Sequence, residues 1–247
     1  MEQAIVSGRQ QRVLSFVWQH TLLLISLYLM TLGVALCVRS ALGSSVISSL
    51  PLAMSLAGEA GKAAPWTVGT YTVVMNFIFV GMQIAILRRR FEAVQLFQLL
   101  MGFVFGALID LNMMLVAMLP TDTLPMQIFL QFAGCTVMGV GIAFEVKCGS
   151  VTMPGEGITM AICRVSGGAF PKVKIIVDTV LVLLAVVAGY FFFGRWMWNV
   201  TGVGTLFAMV YVGMVVKLVS AHIGWFDRLL NHMPGFTRII VGLRRLF

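Results

Sequence analysis

Six stretches of the chain are almost continuously apolar, roughly residues 13–38, 67–87, 92–119, 126–146, 173–193 and 199–221. Wound as α-helices, each is long enough to cross a hydrocarbon core of about 30 Å. Two shorter stretches, 44–57 and 150–166, are only moderately apolar and are rich in Ser, Thr, Gly and Pro. The pattern predicts an all-α polytopic membrane protein with six transmembrane helices and two short segments that are not full spans.

Composition sharpens this reading. Of 247 residues, 60% are hydrophobic and 11% charged, against about 45–50% and about 25% in soluble domains. That excludes a soluble globular enzyme, a disordered chain and a coiled coil. The N-terminus resembles a signal peptide, with Arg9 and Arg12 ahead of an apolar run. The run is longer than an h-region of about 7–15 residues and no small-residue cleavage site follows, so it reads as a retained first span.

The net charge of +8 comes from clusters beside the spans: Arg9 and Arg12, Arg88 to Arg90, Arg164 with Lys172 and Lys174, then Arg238, Arg244 and Arg245. This is the positive-inside pattern, and nucleic acid is not an expected partner. It sets both termini inside, with the loops near Arg89 and Lys172, and puts the Lys- and Arg-free loop 120–125 outside. Trp196 and Trp198 mark an outer interfacial belt. If segment 44–57 crossed alone, the triple-Arg loop would fall outside. Re-entrant helices at 44–57 and 150–166 resolve the conflict, because irregular backbone at membrane depth is tolerated where it lines a cavity or is buried in protein. The alternative is that both segments lie flat at the interface.

The two halves resemble each other. Gly33-Val34 and Gly43-Ser44 recur as Gly139-Val140 and Gly149-Ser150, at a constant offset of 106 residues. An offset of 102 aligns Asn76 with Asp178, and Gly102-x-x-Phe105 with Gly204-x-x-Phe207. Each half holds three spans, an odd number, so the second is inverted. The expected division is a first repeat over 1–120, an inverted second repeat over 121–222 and an amphipathic cytoplasmic tail over 223–247. In that tail Phe236, Ile239, Ile240, Leu243, Leu246 and Phe247 share helical spacing among arginines, which suits an anionic leaflet.

Arg39-Ser40-Ala41-Leu42-Gly43 within the Gly33–Gly43 stretch, and Gly155-Glu156-Gly157 with Asp178 downstream, resemble the YczE/YyaS/YitT group of bacterial membrane proteins over most of the chain. The resemblance implies a bacterial inner-membrane protein and brings no established chemistry. The sequence departs from YitT-type members, which add a soluble C-terminal domain after the membrane part.

Ionisable groups within spans are costly and read first as functional. Glu156, between two glycines and just after Pro154, either caps the free amides of a helix start, or coordinates a cation, or carries a coupling proton, since burial disfavours its charged form. Ser44 and Ser45 offer hydroxyls at the matching place in the first half, and Ser150 and Thr152 flank the second. Asp178 pairs by repeat with Asn76, or forms an ion pair with Lys174 one turn earlier. These seven residues (Ser44, Ser45, Asn76, Ser150, Thr152, Glu156 and Asp178) are the candidate solute site. Arg39, Asp110 and Glu145 are candidates for gating or coupling. Asp110 follows the close-packing Gly102-x-x-x-Gly106 motif, and Arg39 and Glu145 occupy equivalent repeat positions with opposite charge.

Cys37, Cys135, Cys148 and Cys163 form no Cys-x-x-Cys and no pattern with His20, His222 or His232, so neither metal nor disulfide framework is expected. No nucleotide-binding loop or catalytic motif is present, and neither cofactor nor enzyme activity is expected. Inverted repeats with discontinuous elements are a recurrent plan of secondary transporters. The expected function is therefore a transporter or channel for a small polar or charged solute, with the site at the midplane between the repeats. The expected partners are the bilayer, the solute and, in an assembly, further copies of the chain; the competing reading is a non-transporting membrane partner of another protein. Single-Cys labelling from each side, on a Cys-free background, tests the topology. Ser44 and Ala57 should label from the outer side, and Ser150 and Ser166 from the inner. Labelling of Ser44 and Ala57 from opposite sides would turn the short segments into full spans and undo the inverted repeat.

Overall fold

The computed structural model describes residues 2–148 and 153–222. The side chains of 2–17, 93 and 94 lie outside that description, as do residues 149–152 and 223–247. Gly149, Ser150, Thr152 and the expected amphipathic tail therefore lie outside the described residues.

Among the described residues eight α-helices follow in order: α1 Glu2–Ser40, α2 Val46–Glu59, α3 Val68–Leu87, α4 Phe97–Val116, α5 Leu124–Cys148, α6 Pro154–Ser166, α7 Phe170–Phe193 and α8 Val203–His222. The described residues contain no strand. Six helices are long and apolar enough to cross a membrane: Trp18–Ser40 within α1, α3 with its following turn, α4, α5, α7 and α8. The chain is built as a multi-pass membrane protein. The two Ser- and Gly-rich stretches form the short helices α2 and α6.

Local chemistry sets the helix ends. Thr67 caps α3 by accepting from the Thr70 amide at 3.1 Å. Pro154 opens α6, where its missing N–H is no loss. Gly167 and Gly194 close α6 and α7 in the left-handed conformation, at φ 69° and 66°, which glycine adopts without a Cβ clash. The third span begins later than the apolar run suggests. Arg88, at φ 48°, ends α3, and two short 3-10 turns, Arg88–Arg90 and Ala93–Leu96, carry the chain to Phe97.

The polarity of the bundle is that of a protein in lipid. Phe103, Met114, Ile175, Val187, Phe191, Val210 and Met214 face outward, while Thr31, Ser40, Asn76, Gln83, Asn112 and Gln131 are buried. Several inward groups find protein partners: Thr31 Oγ1 donates to Leu27 O at 2.9 Å, and Asn112 Nδ2 to Thr31 Oγ1 at 2.9 Å.

The α1–α5 pair forms the axis. Its backbones approach so closely that a Cβ at Gly33 would lie 2.6 Å from Gly134 O and from the Met138 backbone. A Cβ at Gly141 would lie 2.7 Å from the Met30 amide nitrogen. Cys37 and Cys135 sit in the same seam as free thiols, 3.7 Å apart. Around this axis α4 packs on α1 and α8 on α5; α3 packs on α4 and α6; and α2 packs on α7 and α3. A second, Gly-lined seam runs down α4, where Gly102 faces Asn76 and Gly106 faces Gly69 and Val73. Such close packing of small residues replaces the hydrophobic drive that lipid does not supply. Gly33→Ala must therefore move backbone rather than a flexible side chain. The expected cost is about 1–3 kcal/mol, the usual range for overpacking, read as a lower Tm in detergent. Gly213→Ala, which places a Cβ in open space, should leave Tm nearly unchanged.

Candidate functional site

The first half contributes a serine-lined helix start. Ser44, Ser45, Ser48 and Ser49 surround the first turn of α2 and are all buried. Ser44 donates to the Val200 carbonyl from its amide at 3.0 Å and its hydroxyl at 3.1 Å. Ser45 and Ser48 hydroxyls are 2.7 Å apart, and Ser49 Oγ donates to Ser45 O at 2.8 Å. The cluster is thus pinned to the α7–α8 connection. Gly43, at φ 128°, lets the chain pass against Gly202 and Thr205, where a Cβ would clash. Beside it Ser40 Oγ donates to Gln131 Oε1 at 2.7 Å, and Gln131 Nε2 donates to Gly204 O at 2.9 Å.

The second half contributes the start of α6, which has two chemically different faces. One face meets glutamines. Gln83 Nε2 donates to Gln98 Oε1 and to Pro154 O, each at 3.2 Å. Gly157 fits against both amides, and any Cβ there would lie 2.7–2.8 Å from them. A small pocket at this corner is lined by Gln83, Gln95, Gln98, Gly157, Met160 and Arg164, among others. The buried Gln95 Oε1 has no hydrogen-bond partner.

The other face carries acids. Glu156, in the first turn of α6, lies within electrostatic range of Lys174 and Asp178 on α7 and of Glu145 on α5. Lys174 Nζ donates to Asp178 Oδ1 at 2.8 Å, with both side chains partly exposed. Glu145 is 5% exposed, and its carboxyl meets no side-chain hydrogen-bond donor among the described residues. It lies beside the backbone amide of Met153, the residue preceding α6. Three acids and one lysine therefore converge from α5, α6 and α7. Among the described residues no three His, Cys, Asp or Glu side chains are grouped to hold a metal ion.

The two helix starts touch. A Cβ on Gly155 would lie 2.8 Å from Ile47 Cδ1, so the first turns of α2 and α6 pack directly against each other. Met75, Phe79, Ile158 and Leu181 close around this point, together with Val46, Ile47, Leu50 and Val177.

The structure brings together Glu145, Glu156 and Asp178, two of them expected at the solute site and one at a gate. Asn76 is buried in the α3–α4 seam with Nδ2 unpartnered. Ser44 and Ser45 are held against α7–α8, while Ser150 and Thr152 lie outside the described residues. Asp110 accepts from the Gly69 amide at 2.8 Å and from Thr67 Oγ1 at 2.6 Å, fixing the start of α3. Arg39 donates twice to Leu119 O, from Nε at 3.0 Å and Nη2 at 2.6 Å, fastening the end of α1 to the α4–α5 connection. The glutamine corner was missed by motif reasoning. Its signal was three glutamines, Gln83, Gln95 and Gln98, in and between apolar runs.

No curated protein and no solved structure matches the chain. A family model does, across residues 17–221. That stretch takes in every element of the bundle described above except the first residues of α1 and the last of α8, so the chain belongs to a family of unknown function, DUF6198.

Proposed function

We propose that the chain is a transporter or channel for a small polar or charged solute. In this reading it comprises two inverted three-span repeats, each with a re-entrant helix after its first span. The likeness to the YczE/YyaS/YitT group, a bacterial inner membrane and cytoplasmic termini belong to the same reading.

The observation that carries it is the meeting of α2 and α6, first turn against first turn, at Ile47 and Gly155. Helix pairing supports the repeat. Exchanging the halves turns α1–α4 into α5–α8, α2–α7 into α6–α3, and α2–α3 into α6–α7, and leaves α1–α5 unchanged; each of these pairings is present. The apolar cluster obeys the same exchange, since the 102-residue offset pairs Met75 with Val177 and Phe79 with Leu181. Re-entry is supported by where the short helices end. Ser44, before α2, bonds Val200, and Lys62, after it, bonds Phe192 O at the finish of α7. For α6, Pro154 is bonded by Gln83, while Arg164, near its other end, shares a pocket with Gln83 and Leu87. In this reading each short helix starts where α2 and α6 meet and runs out towards one end of the bundle, α2 towards the finish of α7 and α6 towards the Gln83–Leu87 end of α3.

A solute site between such halves lies where their discontinuous helices meet, and rocking of one half against the other exposes it alternately. Ser44, Ser45, Asn76, Ser150, Thr152, Glu156 and Asp178 are the proposed lining. Hydroxyls on one helix start and a carboxyl on the other suit a polar or zwitterionic solute. Arg39, Asp110 and Glu145 are the proposed gating or coupling residues.

Purified protein in liposomes, screened with a panel of small amino acids, amines, organic acids and inorganic ions, tests this reading through flux and ligand-induced shifts in Tm. Pore or carrier activity should appear for at least one class and be lost or altered in Glu156→Gln, which keeps shape while removing titration. Glu156→Ala should also cost stability, about 0.5–2 kcal/mol if the carboxyl caps α6. Folded protein with neither flux nor binding across the panel would favour a non-transporting membrane partner.

A further inference from the structure

The glutamine corner beside α6 contains an acceptor that the bundle leaves unused. Gln83 on α3, Gln95 on the 3-10 turn Ala93–Leu96 and Gln98 on α4 are all buried. Gln83 and Gln98 hold each other and α6: Gln83 Nε2 donates to Gln98 Oε1 and to Pro154 O, each at 3.2 Å. Gly157 packs on this pair so tightly that a Cβ would lie 2.7 Å from Gln98 Oε1 and 2.8 Å from the Gln83 amide. Gln95 differs. It is 7% exposed, and its buried Oε1 has no hydrogen-bond partner. A buried amide oxygen left unpaired is costly, and a donor brought by a ligand removes that cost.

The three glutamines, with Gly157, Met160 and Arg164 among others, line a cavity of about 250 Å³, counted with its open mouth. Pockets for drug-sized ligands span about 300–1,000 Å³, so an occupant here has few non-hydrogen atoms. Charge narrows the chemistry further. Arg164, in the last turn of α6, is a lining residue, and no acidic side chain is among the described lining residues. Arg88, Arg89 and Arg90 follow directly on Leu87, which also lines the cavity, and are exposed. Neutral amides beside a guanidinium disfavour a cation and favour an oxyanion, which arginine recognises through charge-assisted N–H donors. An oxyanion without hydrogen would suit Arg164 but set acceptor against acceptor at Gln95. A fitting occupant accepts at one end and donates at the other.

We propose that this corner binds a small oxyanion that carries an O–H of its own, the hydroxyl donating to Gln95 Oε1 and the anionic oxygens facing Arg164. Hydrogen phosphate and the glycerol phosphate headgroup of an anionic lipid share that chemistry. The site is separate from the proposed solute lining, none of whose residues lines the cavity. Its occupant joins the connection between α3 and α4, in the first half of the chain, to the end of α6, in the second.

The test is calorimetric titration of the purified full chain in phosphatidylcholine nanodiscs, whose headgroups have no O–H, at neutral pH. The probes are inorganic phosphate, glycerol phosphate, sulfate and glycerol. Sulfate has the shape of phosphate without its O–H, and glycerol has hydroxyls without charge. Phosphate should bind about tenfold or more tightly than sulfate, because only phosphate supplies a donor to Gln95, and glycerol should not bind. Gln95→Met, which keeps the side-chain length without the amide, should abolish the preference for phosphate over sulfate. Arg164→Gln should weaken both anions. Three results overturn the proposal: no binding of either phosphate in wild type, sulfate bound as tightly as phosphate, or a phosphate preference unchanged in Gln95→Met. If Gln95→Met does not fold, the wild-type comparison of phosphate with sulfate still decides. A Tm raised by phosphatidylglycerol over phosphatidylcholine in wild type but not in Gln95→Met assigns the site to a lipid headgroup. Binding of the soluble phosphates with no such rise assigns it to the free anion. Binding is read without transport, so its failure leaves the transporter reading standing, and absence of flux leaves this site standing.

Discussion

The bundle depends on two backbones being allowed to touch. Between α1 and α5, Gly33, Gly134 and Gly141 leave no room for a Cβ. In lipid, apolar side chains gain little by leaving their surroundings, so helices associate through close packing and polar contacts. The glycine seam supplies the first, and the buried hydroxyls and amides supply the second. Once α1 and α5 are fixed, α4 and α8 find matching positions against them, and the remaining helices, including the two short ones, pack around this frame.

That frame sets two helix starts against each other and gives them unequal chemistry. The α2 start is rich in hydroxyls that are consumed by internal hydrogen bonds. The α6 start is poor in such bonds and rich in acid. A turn whose polar groups are mutually satisfied resists displacement, whereas Gln95, at the glutamine corner beside α6, is buried with its Oε1 unpartnered. Because a buried polar atom left unpaired is costly, a new hydrogen-bond partner on the glutamine-flanked side of the junction would do most to the local energetics.

Much of the architecture was legible in the sequence, because membrane-spanning helices announce themselves by length and hydropathy. The two short helices were visible for the opposite reason: Ser, Thr, Gly and Pro interrupt the apolar pattern just where α2 and α6 form. The Gly102-x-x-x-Gly106 spacing showed that α4 packs closely, and it does, against Asn76, Gly69 and Val73. The spacing did not reveal that the next residue of the stripe, Asp110, would meet the Gly69 amide, since that pairing spans 41 positions. The convergence of Glu145, Glu156 and Asp178 was hidden likewise. Each was conspicuous alone, but three helices had to pack before one faced another. Gln83 and Gln98 drew no notice, because a glutamine in an apolar run has no pattern until its partner is in place.

The reliance of α1 on α5 also has a bearing on how the chain reaches its folded form. Synthesis delivers α1 first, and its principal neighbour begins only at Leu124, after three other helices have emerged. Until then the first helix waits in the bilayer with polar positions on a face that has no protein to cover it. Two of these are self-sufficient: Ser26 Oγ donates to Leu22 O and Thr31 Oγ1 to Leu27 O, both within the helix. Hydroxyls that fold back on their own backbone expose little unmet polarity to lipid. Gly33 beside them offers a bare notch to whichever helix arrives. The first span is thus equipped to persist alone and then to be recognised, which lets a chain with its closest contact so far apart in sequence assemble in the order in which it is made.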